Sequence, residues 1–420
     1  MNTLILRGGD DIAPAAEIIR RGGLCVLPTE TVYGLGANAL DADAVARLYD
    51  AKHRPREKPV SVLIPDFADA ATLCRDIPDA ARTLADAYFP GPLTLVLRKG
   101  DTVPDIVTAG GDTLGVRCPK HGKTLALLRR AAVPVAAPSA NASGDPSPRT
   151  FADALAAFDG VADCAVDGGD CAVGAESTVL DMTAAPPRVL RRGALTKRAL
   201  ERTLGGKISG MTVVGITGGS GAGKTTVLRA LKKLGKTEPY SQSGASGTLV
   251  LDCDVIYREL LARDAELLAA LDAAFPGVVE HRALNRKALG SIVFSDPAAL
   301  ERLNALTHSY VMREVRRRLA EWDAAGGTLA AIDAIALIES GLADLCDVTA
   351  AVTAPEAARV ARVMARDHIT EEAARLRIRA QQPDSFYRKH CELTLRAEYT
   401  NERKFSAHCI EVFTKFLEEI

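Results

Sequence analysis

The sequence predicts an α/β protein of two domains, residues 1–207 and 208–420. Three observations carry this. Short β-branched runs (Leu24 to Leu27, Leu93 to Leu97, Val213 to Thr217, Thr248 to Leu251) alternate with longer helical patterns in both halves. The chain also starts twice. Met1-Asn-Thr-Leu-Ile-Leu opens it, and Met211-Thr-Val-Val-Gly-Ile-Thr opens a fresh strand after Gly205-Gly206-Lys207-Ile208-Ser209-Gly210, a stretch expected to act as a flexible linker. Finally, 420 residues at 47% hydrophobic and 25% charged can bury more than one core.

In the first half, the run Leu24 to Leu27 leads into Pro28-Thr29-Glu30-Thr31-Val32-Tyr33-Gly34-Leu35-Gly36, hydroxyls followed by a glycine turn. Lys52-His53-Arg54-Pro55-Arg56-Glu57-Lys58-Pro59 then gathers four cations in seven residues on a backbone stiffened by proline, which reads as an anion site. Gly115-Val-Arg117-Cys-Pro119-Lys-His121 adds a strand-borne arginine, and Pro138-Ser139-Ala140-Asn141-Ala-Ser143-Gly144 a loop of hydroxyls and an amide. Ser177-Thr178-Val179 and Arg191-Arg192-Gly193 complete the set. Such groups bind phosphates and carboxylates through charge-assisted hydrogen bonds, arginine in bidentate fashion. Taken singly, each block is equally a solvated loop or a turn.

The second half carries the sharpest motif. Gly218-Gly219-Ser220-Gly221-Ala222-Gly223-Lys224-Thr225, followed by Thr226, fits G-x-x-x-x-G-K-[ST] between a predicted strand and a predicted helix reaching about Leu234. Its glycines let backbone N–H groups converge on phosphates, Lys224 reaches the terminal phosphates, and Thr225 can hold magnesium. The cradle says nucleoside triphosphate, and no N-K-x-D guanine signature occurs, so a G-domain is disfavoured. Leu249-Val-Leu-Asp252-Cys253-Asp254 delivers two carboxylates to the C-terminal edge of the sheet, where α/β ligands bind. A helix is predicted after Asp296-Pro297, with Leu300, Leu303, Val311, Val315, Leu319 and Trp322 on its buried side and Gly326-Gly327 at its end. His308 on that helix reads as a packing or capping residue. Arg362 and Arg366 lie one turn apart, which suits a phosphate lid or a solvated face alike.

Composition excludes several classes. A net charge of −1 selects no polyanionic partner. Nine scattered cysteines without a C-x-x-C pair argue against zinc and against any disulfide partner. No signal peptide or membrane-length apolar run is apparent, so the expected residence is the cytoplasm.

Taken together, the blocks of the first half resemble the threonylcarbamoyl-AMP synthase family, with Lys52, Arg54, Ser139 and Asn141 as its hallmark tetrad. The resemblance implies a mixed twisted sheet with helices, and joining of L-threonine, bicarbonate and ATP into threonylcarbamoyl-AMP and pyrophosphate. The product would be handed to a tRNA threonylcarbamoyl-transferase complex. It implies that Lys52 and Arg54 are catalytic. Thr31, Arg117, Ser177 and the backbone at Ala137 would hold threonine, and Arg54, Lys58, Thr113, Ser139, Asn141, Ser147 and Arg191 would hold ATP. Leu63 stands where longer members carry a histidine. The rival reading, an RNA-binding module, is disfavoured by the 5% aromatic content, which leaves little for base stacking.

The second half is similar to dephospho-coenzyme A kinase in its phosphate loop, Asp252 to Leu261, Leu306-Thr307-His308, Asp333 to Glu339, Arg362 to Asp367 and Arg379-Ala380-Gln381. The resemblance implies a parallel P-loop sheet with helical lid and substrate regions. Asp254 would be the base for the ribose hydroxyl of dephospho-CoA, with Lys224, Mg2+ and the lid arginines Arg362 and Arg366 stabilising the transferred phosphoryl group. Asp252 reads as a supporting residue or a strand-end turn former, and Asp333 as magnesium-proximal or structural. The chain departs from the family at Ile335 in place of proline, in an insertion from Lys236 to Gly247 expected to be a mobile surface loop, and in Cys391 to Glu398, which has Glu392 but no asparagine. The rival here is another small-molecule kinase.

Overall fold

In the computed structural model, residues 2–143, 145–237, 247–280, 283–293, 296–397 and 401–418 are described. Gly144, Glu398 and most of the Lys236 to Gly247 insertion lie outside them. The chain divides into two compact units, Met1–Ser209 and Gly210–Ile420.

The first unit holds eleven strands in one mixed sheet: β1 (Leu4–Leu6), β2 (Cys25–Leu27), β3 (Gly34–Asn38), β4 (Val62–Leu63), β5 (Cys74–Arg75), β6 (Leu93–Lys99), β7 (Thr113–Arg117), β8 (Val135–Ala136), β9 (Cys164–Val166), β10 (Thr178–Asp181) and β11 (Arg188–Arg191). Their order is β1-β9-β2-β3-β8-β4-β7-β6-β10-β11, with β5 on β6. Tyr33, Leu35, Leu48, Val62, Leu95 and Val116 form the centre of the core, none more than 1% exposed. The helices bury one apolar face each: Ala42–Ala51, capped by the Asp41 side chain on the N–H groups of Asp43 and Ala44, turns Ala44, Val45, Leu48 and Tyr49 inward.

Two expectations are corrected in this unit. The stretch after residue 204 is not a free linker: Ile208 is buried, its N–H donates to Glu201 Oε1 (2.9 Å), and Ser209 bridges Arg188. Cys25 also has a disulfide partner, Cys164. Parallel pairing of β2 with β9 sets their Cα atoms 4.7 Å apart, across 139 residues of sequence that hide the neighbourhood.

The second unit carries a parallel sheet of β12 (Thr212–Thr217), β13 (Thr248–Asp252), β16 (Leu329–Asp333), β17 (Val348–Thr353) and β18 (Leu393–Arg396), ordered β13-β16-β12-β17-β18. The intervening β14 (Val279–Glu280) and β15 (Ala283–Leu284) form a small antiparallel pair. Every residue of β12 is buried, as a central strand covered on both faces requires. Register places Asp252 opposite Asp333 and Asp333 opposite Ile216, so both carboxylates reach the C-terminal edge beside the phosphate loop. Helix Pro297–Ala324 starts at the Asp296 cap as predicted and buries Val311, Val315 and Leu319, but Leu300 faces outward at 38% exposure. Among the described residues no helix is long and apolar enough to cross a membrane.

Candidate active sites

The first site is a cleft of about 410 Å³. Arg54, Thr113, Arg117, Ala137, Ser139, Ser177 and Arg191, seven residues singled out from sequence, line one cavity together with Thr29, Tyr33, Thr94 and Glu176. The loop from Pro138 to Asn141 is fixed from several directions. Leu35 N–H donates to the Pro138 carbonyl (2.9 Å), Ala140 N–H to Tyr33 O (2.7 Å), and Gly34 bridges Ser139.

Three arginines give the cleft its charge, and each is already oriented. Arg54 donates Nε to Lys58 O (3.1 Å) and Nη2 to Pro59 O (2.8 Å). Arg117, buried at the end of β7, pairs Nη2 with Glu30 Oε1 at 2.8 Å and donates Nε to Gly91 O at 3.2 Å. Burial lowers its guanidinium and Glu30 opposes that shift. Arg191 holds Ser177 O and Oγ through Nη2, both at 2.9 Å, while its Nη1 meets Glu176 at 2.8 Å.

Five residues expected at this site do not line the cleft. Lys52 is only 2% exposed and donates its ammonium to the carbonyls of Ser139 and Asn141. Burial first, then Arg54, lowers it to about 8. Asn141 accepts the Ser139 hydroxyl (2.5 Å), and Thr31 shares a hydrogen bond with the Thr29 hydroxyl (2.9 Å). Ser147 donates to Glu176 (2.8 Å), and the Lys58 residue is exposed. These groups surround and brace the cleft wall. Sequence reasoning missed Glu176 and Thr94. Glu176 adjoins Ser177 in the chain, but nothing in the sequence shows that it would take both Ser147 and Arg191.

The second site, of about 740 Å³, is lined by Ser220 to Thr226, Asp252, Asp254, Asp333, Arg362, Arg366, Arg377, Glu402 and Phe405 among others. Gly218 has φ 135°, and a Cβ there would stand 2.2 Å from Val352 O, so only glycine lets the loop pass this close to β17. The Lys224 ammonium donates to Gly218 O (3.0 Å), 4.0 Å from Asp333 Oδ1. Asp252 is the N-cap of helix Cys253–Arg263, accepting from the N–H groups of Asp254 and Val255 at 3.0 Å. Its neighbour Asp254, in the first turn, presents an exposed residue to the pocket.

Arg362 donates to Gly221 O (3.0 Å) and Ala397 O (3.2 Å), which sets it against the phosphate loop. Arg366 pairs with Asp367 through two hydrogen bonds (2.8 and 2.9 Å), and Arg377 meets the same carboxylate at 2.7 Å. His308 is half-buried, and burial lowers its imidazole. Arg377, Glu402 and Phe405 carried no signal in the sequence, because helical spacing does not say which way Glu371–Arg379 or Glu402–Glu418 turns.

Magnesium fits this donor set. Asp333 Oδ1 is buried without a hydrogen-bond partner, and the Thr225 hydroxyl shares its pocket, a pair of hard oxygen donors of the kind this ion takes. Burial raises the Asp333 carboxyl to about 6 against the opposing pull of Lys224.

The fold and the clefts define a P-loop unit joined in one chain to a mixed-sheet unit with a cationic cleft. The family model described as "Telomere recombination", that of the Sua5, YciO and YrdC proteins, matches residues 17–193, and the one described as "Dephospho-CoA kinase" matches residues 212–401. A threonylcarbamoyl-AMP synthase of Pyrococcus abyssi is 47% identical over 191 residues, 46% of this chain and 56% of that protein, so the chain spans little more than half its length. A Mycobacterium tuberculosis homologue is 39% identical over 195 residues, 46% of this chain and 89% of its own length. A dephospho-CoA kinase of Paramagnetospirillum magneticum is 38% identical over 174 residues, 41% of this chain and 76% of that one. The crystal structure of P. abyssi Sua5 complexed with L-threonine superposes with a TM-score of 0.51 at 27% identity, covering 82% of this chain and 96% of that one. The chain therefore belongs to two families, the threonylcarbamoyl-AMP synthases in its first unit and the dephospho-CoA kinases in its second.

Proposed function

We propose that the chain is a bifunctional enzyme. Its first unit makes L-threonylcarbamoyladenylate from L-threonine, bicarbonate and ATP for tRNA modification, and its second transfers the γ-phosphoryl group of ATP to the ribose hydroxyl of dephospho-CoA. The observation that supports the first activity best is the convergence of Arg54, Arg117 and Arg191 with Ser139 and Ser177 on one cleft. The related P. abyssi structure that binds L-threonine adds weight. Arg117 and Ser177 would hold the amino acid, and Arg54, Thr113, Ser139 and Arg191 the nucleotide. Bicarbonate gives up hydroxide to leave carbon dioxide, which the neutral threonine amine captures as a carbamate, its lost N–H proton joining that hydroxide as water. A carbamate oxygen attacks the α-phosphorus and pyrophosphate leaves, its charge met by Arg54. Catalysis on this reading is proximity and charge stabilisation. Lys52 acts from beneath, by bracing the loop that presents Ser139. The adenylate would pass to a tRNA threonylcarbamoyl-transferase complex, and the cytoplasm is the compartment this implies.

In the second unit Asp254 accepts the ribose proton, while Lys224 and the arginines at positions 362 and 366 offset charge on the moving phosphoryl group. Thr225 and Asp333 would hold magnesium, which would supply positive charge to offset that of the phosphates. The test is direct: purified protein with dephospho-CoA and magnesium-ATP should form coenzyme A. The same protein should release pyrophosphate only when threonine and bicarbonate are both present. Pyrophosphate release without threonine, or no coenzyme A, removes the corresponding half of the proposal.

A further inference from the structure

Helices Glu356–Asp367 and Glu371–Arg379 form a hairpin that turns at Thr370 and the positive-φ residue His368; Arg366 and Asp367 stand at this far end, and Arg377, further along the second helix, reaches Asp367 with its side chain. Its near end meets the phosphate loop at one residue. Ser220, 3% exposed, has all three of its polar groups taken by that end. Its N–H donates to Gln381 Oε1 (2.8 Å), its hydroxyl accepts from Gln381 Nε2 (2.8 Å), and its carbonyl accepts from Arg359 Nε (3.1 Å). Arg359 is itself held by Asp384 at 3.0 Å and packs so closely that a Cβ on Gly219 would stand 1.9 Å from its Nη2. A buried backbone donor and acceptor in a phosphate cradle are thus satisfied by side chains from the arginine-bearing hairpin rather than by the loop itself.

We infer that Gln381 and Arg359 are positioning residues of the kinase reaction: from the base of the arginine hairpin they fix the Gly219–Gly221 segment in its phosphate-binding shape. This rests on the kinase reading above. Neither side chain lines the pocket, so each acts through Ser220. Arg366, roughly 10 Å from Arg359 along the helix, lines the pocket beyond this contact.

The full chain is assayed for coenzyme A formation with Gln381→Ala, Gln381→Glu, Ser220→Ala and the Gln381→Ala/Ser220→Ala pair, with thermal unfolding recorded alongside. Gln381→Ala should raise the KM for ATP about tenfold, the scale of a buried N–H left without its acceptor, and leave the KM for dephospho-CoA within about twofold. Gln381→Glu keeps acceptors for the Ser220 N–H and hydroxyl, and should recover most of that loss. In the double variant the effects should fall short of multiplying, since both changes remove one shared hydrogen bond. Equal rises in both KM values, no rise at all, or fully multiplicative effects would overturn the inference. Should the parent protein form no coenzyme A, the kinase reading fails separately. The dissociation constant for magnesium-ATP then decides: a tenfold weakening in Gln381→Ala upholds the positioning role, and an unchanged value rejects it.

Discussion

The ammonium of Lys52 donates to the main-chain carbonyl of Ser139, and in the same position reaches the carbonyl of Asn141. A buried cation that spends its donors on backbone acceptors holds a loop in place, and the loop it holds presents the Ser139 side chain to the cleft. Lys52→Met keeps the stem but strands both carbonyls, at about 1–3 kcal/mol for each buried group left unpaired. The expected outcome is lower stability of the first unit and loss of threonine-dependent pyrophosphate release. The pH dependence has a definite sign. Burial and Arg54 lower Lys52 to about 8, whereas the unfolded chain keeps lysine near about 10.4, so between these values the unfolded state holds the extra proton. Stability therefore rises as pH climbs from about 8 toward 10, and Lys52→Met should lack that rise in urea unfolding followed across the interval.

Arg117 and Glu30 form the buried ion pair of the cleft, at 9% and 7% side-chain exposure, and Glu30 also accepts the Lys120 N–H at 2.9 Å. Glu30→Ala leaves the guanidinium buried without a counter-charge and should destabilise the first unit by about 3–5 kcal/mol. Glu30→Gln retains an acceptor and should cost less. Because Arg117 lines the cleft, the Gln variant should show a raised KM for threonine with the KM for ATP little changed, which steady-state pyrophosphate release measures.

Asp333 gives the second unit an opposite pH signature. Its carboxyl is raised by burial to about 6, while an unfolded aspartate titrates near about 3.9, so between those values the folded state holds the proton. The stabilisation is complete below the unfolded value and is lost as pH rises through 6, a change of about 3 kcal/mol at most. Thermal unfolding of the nucleotide-free protein from pH 4.5 to 7 should show this slope in the transition of the second unit, and Asp333→Asn should remove it.

Much of this was legible in the sequence, for identifiable reasons. The phosphate loop was legible because its chemistry needs glycine at fixed positions between a strand and a helix, and β12 and helix Lys224–Leu234 supply both. The cleft of the first unit was legible through residue types that bind anions, but not through roles. Lys52 belongs to the same cationic block as Arg54, yet one ammonium is buried under a loop and the other guanidinium faces the cleft. That difference depends on where helix Ala42–Ala51 ends, a detail that spacing leaves open. Cys25 and Cys164 were misread because only the strand order brings them together. Gln381 stood within a recognised block, but its grip on Ser220 arises from the turn of a helix hairpin across 161 residues.

Lys224 decides whether the two activities depend on each other. Its ammonium spans Gly218 O and the neighbourhood of Asp333, so Lys224→Ala removes the cation proposed to offset charge on the phosphoryl group and should lower coenzyme A formation by at least about 100-fold, the scale of a lost preorganised charge. Every residue lining the first cleft falls between Thr29 and Arg191, and every residue lining the second between Ser220 and Phe405. Neither product is a substrate of the other reaction. Threonine-dependent pyrophosphate release should therefore be unchanged in Lys224→Ala, and Arg54→Ala should abolish that release while sparing coenzyme A formation. Parallel assays of the two variants give a two-by-two result in which each change silences one reaction. A fall of both activities in either variant, with both units still folded by thermal unfolding, would show that the fused enzymes communicate.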